Sequence, residues 1–176
     1  AGRGADAGGG AGGDAPGCNA VLQGILDKAE WSKYLVVAFK DGFSGIVQDP
    51  PILSDAVWDA PLDLCMLGGT IIGSSRVNPA KVLFDSRGRI VEKKDYAKSH
   101  ENREHYVKNA MDCLGLGGII LSGGDNTLGA ANRISQQGIH VVGIPKSIDD
   151  DYGPGYTYGR HTAVERGVDD IDGTVV

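Results

Sequence analysis

Apolar residues recur along the chain at two different spacings, and the spacing predicts which segments are helices and which are strands. Helical spacing, with apolar residues three and four positions apart, occurs in two segments: Val21, Leu22, Ile25, Leu26 and Ala29, and then Tyr106, Val107, Ala110, Met111 and Leu114. The second segment ends in the glycines of residues 115–118, which predict a helix end. A continuous apolar run, YLVVAF at residues 34–39, is typical of a strand that is buried on both faces.

The clearest pattern lies between residues 117 and 144. The run GGIILS predicts a strand, and GGDN predicts a tight loop. TLGAANRISQQ predicts a helix with Leu128, Ala131 and Ile134 facing inward and Gly138 as its C-terminal stop. IHVVGI then predicts a second strand. A strand, a helix and a strand with short links form a βαβ unit, so we expect an α/β fold, a three-layer sandwich with a mainly parallel sheet.

The remaining segments have weaker patterns. Residues 1–11 are rich in glycine and alanine and have no apolar run, so we expect a flexible tail. The charged stretch over residues 81–102 predicts an exposed excursion with a hairpin around Ser86, Arg87 and Gly88. Residues 161–171 predict one more helix.

Composition excludes several classes of protein. A length of 176 residues fits one domain, and a net charge of -6 makes nucleic acid a poor candidate partner. The three cysteines and four histidines lack the spacing of disulfide frameworks or metal sites. No apolar run reaches the roughly 18 residues that a membrane helix needs. The N-terminus has no secretory signal, and we expect a soluble cytoplasmic protein that does not bind a membrane.

Three loops would reach the edge of the sheet where parallel α/β proteins bind ligands: GGDAPG (12–17), SGGDNT (122–127) and PKSIDDD (145–151). The two glycine-rich loops lead into helices, whose N-termini suit phosphate groups. Three alternatives remain open for the single loops. GGDAPG could prolong the tail, Asp125 or Asn126 could only cap a helix, and SIDDD could be a solvated acidic loop.

The three loops taken together favour a phosphate site. Gly123 and Gly124 would form a turn that a ligand can approach closely. Asp125 would then place a carboxylate beside the phosphates, where Mg²⁺ is usually bound. The sequence thus predicts a phosphate and magnesium site after this strand.

The chain resembles the phosphofructokinase family in four motifs: GGDAPGCNA (12–20), GGTIIGSSR (68–76), GGDNTLGAA (123–131) and GIPKSIDDD (143–151). The resemblance implies a Rossmann-like lobe over residues 12–176, with the family's second lobe absent. It also implies transfer of a phosphoryl group from pyrophosphate or ATP to the 1-hydroxyl of fructose 6-phosphate, with Mg²⁺ as cofactor. Self-association into a homo-oligomer is a further expectation.

The resemblance also implies roles for individual residues. Asp149 matches the general base, and Ser147 matches a family threonine whose hydroxyl contacts the transferred phosphoryl group. Asp125 matches the magnesium-associated aspartate, and Arg76 is expected to be catalytic through its positive charge. The residues expected to bind the donor phosphates are Gly12, Gly13, Gly124, Asp125, Asn126, Thr127 and Lys146.

Several departures from the family pattern keep other interpretations open. Residues 1–11 lack the apolar strand that precedes GGDAPG in the family, and SIDDD adds Asp150 beside the base. We therefore expect a fragment or a degenerate copy of the enzyme. The alternatives are a non-catalytic phosphate-binding remnant and a relative of NAD or lipid kinases, whose loops resemble GGDGT.

The donor can be tested at one position. Family members that use ATP have glycine after the loop aspartate, whereas this chain has Asn126, and pyrophosphate users resemble it in having a lysine at the position of Lys146. We favour pyrophosphate, because a side chain at residue 126 would crowd the α-phosphate of a nucleotide. The Asn126→Gly variant should shift donor preference toward ATP in a comparison of kcat/KM for the two donors. Unchanged donor selectivity in that variant would contradict this assignment.

Overall fold

The computed structural model describes residues 5–8, 15–148 and 156–172, and of these it describes 5–8, 166, 167 and 169–172 as backbone only. The helices are α1 (Cys18–Ser32), α2 (Phe43–Ile46), α3 (Glu104–Leu114), α4 (Asp125–Ser135) and α5 (Arg160–Asp172). The strands are β1 (Ala5–Gly8), β2 (Val37–Phe39), β3 (Leu53–Ser54), β4 (Val82–Phe84), β5 (Ile90–Val91), β6 (Ser99–Glu101), β7 (Gly118–Gly123), β8 (Val141–Ser147) and β9 (Tyr158–Gly159). Short 3-10 turns cover Asp55–Val57, Leu64–Met66, Pro79–Lys81 and Lys94–Tyr96.

Six of these strands form one sheet in the order β3-β2-β1-β7-β8-β9. Neighbouring strands are parallel, except that β3 runs antiparallel to β2 at one edge. β7 and β8 pair from Ile119 opposite Val141 to Gly123 opposite Pro145, and α4 connects them. The predicted βαβ unit and the mainly parallel sheet are therefore confirmed.

Apolar cores lie on both faces of the sheet. Adjacent residues of a strand point to opposite faces, and in β2 Ala38 belongs to one core while Phe39 belongs to the other. The Phe39 core includes Leu121 of β7 and Ile134 of α4. The Ala38 core includes Leu22 of α1. The sheet thus lies between two helical layers, and the predicted three-layer α/β class is confirmed.

β1 lies in the middle of the sheet, although the sequence predicts a flexible tail over residues 1–11. Its backbone pairs with β2 on one side and with β7 on the other, with Asp6 opposite both Val37 and Ile119. The tail prediction is therefore wrong for residues 5–8. An apolar pattern reports the burial of side chains, whereas backbone pairing on both sides requires only N–H and C=O groups, which alanine and glycine also have.

β2 is shorter than the apolar run 34–39 predicts. Tyr34 and Leu35 are 52% and 57% exposed. The Tyr34 amide donates to the Ala29 carbonyl at 2.9 Å, so it closes the end of α1. The strand begins only after this turn, at Val37.

Most other predicted elements are confirmed. α3 ends where Gly115 takes the left-handed conformation (φ 64°), which glycine adopts without strain. α4 ends at Ser135, before the predicted stop at Gly138, where φ is 84°. α5 covers the predicted final helix. None of the described helices has the length and apolar character needed to span a bilayer.

The predicted hairpin is also confirmed, and it belongs to a small antiparallel sheet in the order β5-β4-β6. The carboxylate of Asp85 organises the turn by accepting hydrogen bonds from the amides of Arg87 (2.8 Å) and Arg89 (3.0 Å). These bonds, the one from the Arg89 backbone above all, hold the pKa of Asp85 below its ordinary value.

Candidate functional site

Three helix starts lie along one edge of the main sheet. β1, β7 and β8 are parallel neighbours, so their carboxyl ends lie side by side. α1 follows β1, α4 follows β7, and α5 follows β9, which pairs with the end of β8. The N–H groups in the first turn of a helix have no hydrogen-bond acceptor within that helix, so they can bind anions. Three of the predicted site residues, Gly12, Gly13 and Asp149, lie outside the described residues.

The turn between β7 and α4 leaves the side chains of Asp125 and Asn126 exposed. Gly124 is the N-cap of α4, and as a glycine it has no side chain that could cap the helix. The amides of Thr127 and Leu128 both donate to the Gly124 carbonyl at 3.0 Å. Asp125 and Asn126 are exposed residues of the first helical turn. The alternative in which one of them only caps the helix is therefore wrong.

Gly123 has no room for a side chain. A Cβ at this position would lie 2.6 Å from the Cβ of Thr127 and 2.9 Å from its Cγ2. Thr127 is completely buried, so it packs beneath the turn and fixes α4 against β7. Its predicted contact with a donor phosphate stays a prediction. The glycine at residue 123 thus lets the helix begin directly after the strand.

The end of β8 lies next to this turn. A Cβ at Gly124 would lie 3.5 Å from the carbonyl oxygen of Lys146, an ordinary contact distance. Lys146 is partly buried, and Ser147 is 8% exposed as the last residue of the strand. The backbone pairing therefore brings Gly124, Lys146 and Ser147 close together, and their contact with donor phosphates stays a prediction.

Asn19 is a site residue that the sequence analysis missed. It is 1% exposed, and its side-chain amide donates to the carbonyls of Leu67 (3.2 Å) and Gly68 (3.1 Å). Its Oδ1 accepts a hydrogen bond from the Ile71 amide at 2.9 Å. Asn19 thus holds the glycine-rich segment 67–71 against the start of α1. No local pattern reveals this, since the partners lie 48 to 52 residues away.

A cavity of about 450 Å³ lies between the turn before α1 and the glycine-rich segment 67–71. The lining residues come from the turn before α1, from the 3-10 turn Leu64–Met66, from the segment 67–71 that Asn19 holds and from α5: Ala15, Pro16, Gly17, Cys65, Met66, Leu67, Gly68, Gly69 and Thr162. Its size falls within the range of small-molecule sites. The helix starts of α1 and α5 border the cavity, which suits an anionic ligand.

Arg76 follows the segment 67–71 in the chain, and its backbone is hydrogen-bonded to the residue immediately after β5. Its amide donates to Glu92 Oε1 at 3.0 Å. Ser75 beside it is buried and accepts a hydrogen bond from the Ser44 amide at 3.3 Å. The side chain of Arg76 is exposed, and within the described part of the chain it forms no ion pair. Its predicted contact with a phosphate stays a prediction.

Comparison with known proteins identifies the family. The phosphofructokinase family model matches residues 9–174, nearly the whole chain. The chain belongs to the phosphofructokinase family. It is 36% identical over 169 residues to a pyrophosphate–fructose 6-phosphate 1-phosphotransferase of Amycolatopsis mediterranei, covering 92% of this chain and 42% of the relative. It is 33% identical over 164 residues to an ATP-dependent 6-phosphofructokinase of Spirochaeta thermophila, again with 92% and 42% coverage.

Solved structures agree on the fold of this phosphofructokinase family member. Pichia pastoris phosphofructokinase in the T-state superposes with a TM-score of 0.72 at 23% identity, over 98% of this chain and 18% of that one. A pyrophosphate-dependent phosphofructokinase of Marinobacter aquaeolei gives 0.65 at 18% identity, over 88% and 36%. The chain therefore spans less than half the length of the relatives named above.

The contact between Gly123 and Thr127 can be tested with a matched pair of glycines. Gly123→Ala should destabilise the fold by about 1–3 kcal/mol, because the added Cβ overpacks a site closed by a buried side chain. Gly129 lies on an open part of α4, where an added Cβ would meet only Arg133 Nη1, at 4.0 Å. Gly129→Ala should therefore be neutral or should stabilise the fold by up to about 1 kcal/mol. Urea denaturation measures both. Equal effects of the two substitutions would show that the contact at Gly123 is unimportant.

The role of Asn19 can be tested by Asn19→Ala. We expect a loss of about 2–4 kcal/mol, because three hydrogen bonds at about 0.5–1.5 kcal/mol net each disappear. The amide of Ile71 should also exchange faster with deuterium. Glu30→Ala, at an exposed position of the same helix, is the control and should change the free energy of unfolding by less than about 0.5 kcal/mol. Unchanged exchange at Ile71 would contradict the assigned role.

Proposed function

We propose that this chain provides the donor-phosphate part of a phosphofructokinase active site, for transfer of a phosphoryl group from pyrophosphate or ATP to the 1-hydroxyl of fructose 6-phosphate. The turn between β7 and α4 is the observation that carries this proposal. There a glycine-capped helix start lies beside one exposed carboxylate, Asp125, at the carboxyl edge of a parallel sheet. The family match and the relatives with either donor support it.

The donor phosphates bind at the starts of α1 and α4. Backbone N–H groups and the helix dipole favour negative charge at both places. Gly12 and Gly13 precede α1 in the sequence, and Gly124 precedes α4. At each position the lack of a side chain allows phosphate oxygens to approach the backbone closely.

Asp125 is the residue that would hold Mg²⁺ together with donor oxygens. Among the described residues, no group of three or more His, Cys, Asp or Glu side chains lies close enough together to hold a metal ion. One exposed carboxylate still fits Mg²⁺, because this ion commonly binds through one or two carboxylates, phosphate oxygens and water. When bound, Mg²⁺ would neutralise charge on the phosphoryl group. It would also relieve the repulsion between Asp125 and the donor.

The acceptor side of the reaction uses the segment that ends β8. Asp149, two residues after Ser147, removes the proton of the attacking hydroxyl. The hydroxyl of Ser147, at the end of β8, donates a hydrogen bond to the transferred phosphoryl group. Arg76 and Lys146 contribute positive charge. This division suits phosphoryl transfer, which depends on alignment and charge neutralisation.

Pyrophosphate is the donor in this proposal. Asn126 is exposed in the first turn of α4, where its side chain would crowd the α-phosphate of a nucleotide. Lys146, partly buried beside Gly124, is suited to hold the released phosphate. Relatives of both donor types match this chain with similar identity, so their names do not decide the donor.

We also propose a cytoplasmic location and self-association. The thiols of Cys18, Cys65 and Cys113 form no disulfide, which is compatible with a reducing compartment. Self-association is carried over from the family.

A non-catalytic phosphate-binding protein is the second candidate. The sequence SIDDD favours it, because Asp150 places another negative charge next to the proposed base. Like charges raise the cost of ionising a neighbouring carboxyl group. In this case the helix starts bind the donor phosphates, but no phosphoryl group is transferred.

A ³¹P NMR time course with Mg²⁺, fructose 6-phosphate and either pyrophosphate or ATP tests the proposal. We expect loss of pyrophosphate and formation of a sugar bisphosphate, with a rate about 10²–10⁴ times lower for Asp149→Asn, because the general base is lost. Binding of magnesium pyrophosphate by calorimetry runs in parallel. Binding without turnover would support the second candidate, and failure to bind either donor would contradict both.

A further inference from the structure

We propose that Tyr158 is a positioning residue that joins all three loops of the donor site and sets the distances between them. This inference rests on the proposed function for the identity of the ligand. Tyr158 begins β9, outside the four motifs that suggest the family. Three separate contacts connect it to the three loops.

The first contact is made by the tyrosine ring. Gly17, the left-handed N-cap of α1 (φ 94°), lies directly against it. A Cβ on Gly17 would be 2.9 Å from Cδ2 of Tyr158 and 3.6 Å from its Cε2. The neighbouring backbone is equally close, since a Cβ on Gly159 would lie 3.4 Å from the carbonyl oxygen of Pro16. β9 therefore packs against the last residues of the first loop.

The second contact is made by the phenol hydroxyl. It is hydrogen-bonded to the hydroxyl of Ser122, the residue immediately before Gly123 and Gly124. It also lies 3.6 Å from the Sγ of Cys18, the first residue of α1. One oxygen atom thus bridges the start of α1 and the end of β7, which leads into α4. The starts of α1 and α4 are the two proposed phosphate-binding elements.

The third contact is backbone pairing. Tyr158 lies opposite Lys146, and Gly159 lies opposite Ser147, in the parallel pair of β8 and β9. The third loop begins at this point. A single residue therefore contacts the first loop through its ring, the second through its hydroxyl and the third through its strand.

The spacing of the helix starts is what a donor with two or three linked phosphates must match. A shift of either helix start changes the distance between N–H groups that bind neighbouring phosphates. An aromatic ring is rigid, with only two rotatable side-chain bonds, so it holds such a spacing at little entropic cost. Removing the hydroxyl alone should therefore weaken donor binding while the ring still packs.

Tyr158→Phe tests this inference, with Tyr156→Phe as the matched control. Tyr156 is the same residue type two positions away and is 93% exposed. Amide hydrogen exchange of the ligand-free chain should rise in Tyr158→Phe at residues 17–19, 122–127 and 146–148, and not in Tyr156→Phe. The dissociation constant for magnesium pyrophosphate should rise roughly 3- to 10-fold, as expected for one lost hydrogen bond.

Ser122→Ala separates the hydrogen bond from general destabilisation. If the hydroxyls of Ser122 and Tyr158 act as a pair, the double variant should bind pyrophosphate no more weakly than either single variant. Additive losses would overturn the pairing. An increase in exchange spread equally over α3 and β2 would show a purely structural role and would overturn the inference.

The two proposals can fail separately. If the wild-type chain binds neither pyrophosphate nor ATP, the proposed function fails, and the exchange experiment alone decides whether Tyr158 joins the loops. If the wild-type chain binds pyrophosphate and Tyr158→Phe matches it in both affinity and exchange, the inference about Tyr158 is wrong and the proposed function stands.

Discussion

Parallel pairing of β1, β7 and β8 is the constraint on which the candidate site depends. Parallel neighbours present their carboxyl ends at the same edge, so segments far apart in sequence meet there. Pairing of β1 with both β2 and β7 also satisfies the backbone of a short strand made of alanine, aspartate and glycine. With β1 in the middle of the sheet, α1, which follows β1 in the chain, starts at the same edge as α4.

Close packing then converts this arrangement into a defined geometry. The absence of a Cβ at Gly123 lets buried Thr127 pack beneath the turn, and a glycine at residue 17 lets the ring of Tyr158 lie against α1. Asn19 adds a polar constraint, because its buried amide group finds partners in the segment 67–71 and nowhere nearer. A buried amide without partners would be costly, so this segment is held in place.

The charge distribution explains how an acidic chain can bind an anion. The net charge is -6, yet the edge that carries the helix starts offers backbone N–H groups whose positive partial charge is independent of side chains. The Asp125 carboxylate alone would repel an anion at this edge, but a divalent cation would remove that repulsion, because a carboxylate and phosphate oxygens together form the ligand set that Mg²⁺ prefers. In the proposed site, local backbone geometry would outweigh the overall charge.

The sequence by itself determined the α/β class, the βαβ unit over β7, α4 and β8, and the family, because apolar spacing and glycine-rich motifs are local signals. It gave no sign of β1, whose order comes from backbone pairing, or of Asn19 and Tyr158, whose partners are distant in the chain. Its alternative of a helix cap at Asp125 was excluded only by the observed cap at Gly124. These features depend on which segments meet in space, and only the tertiary structure decides that.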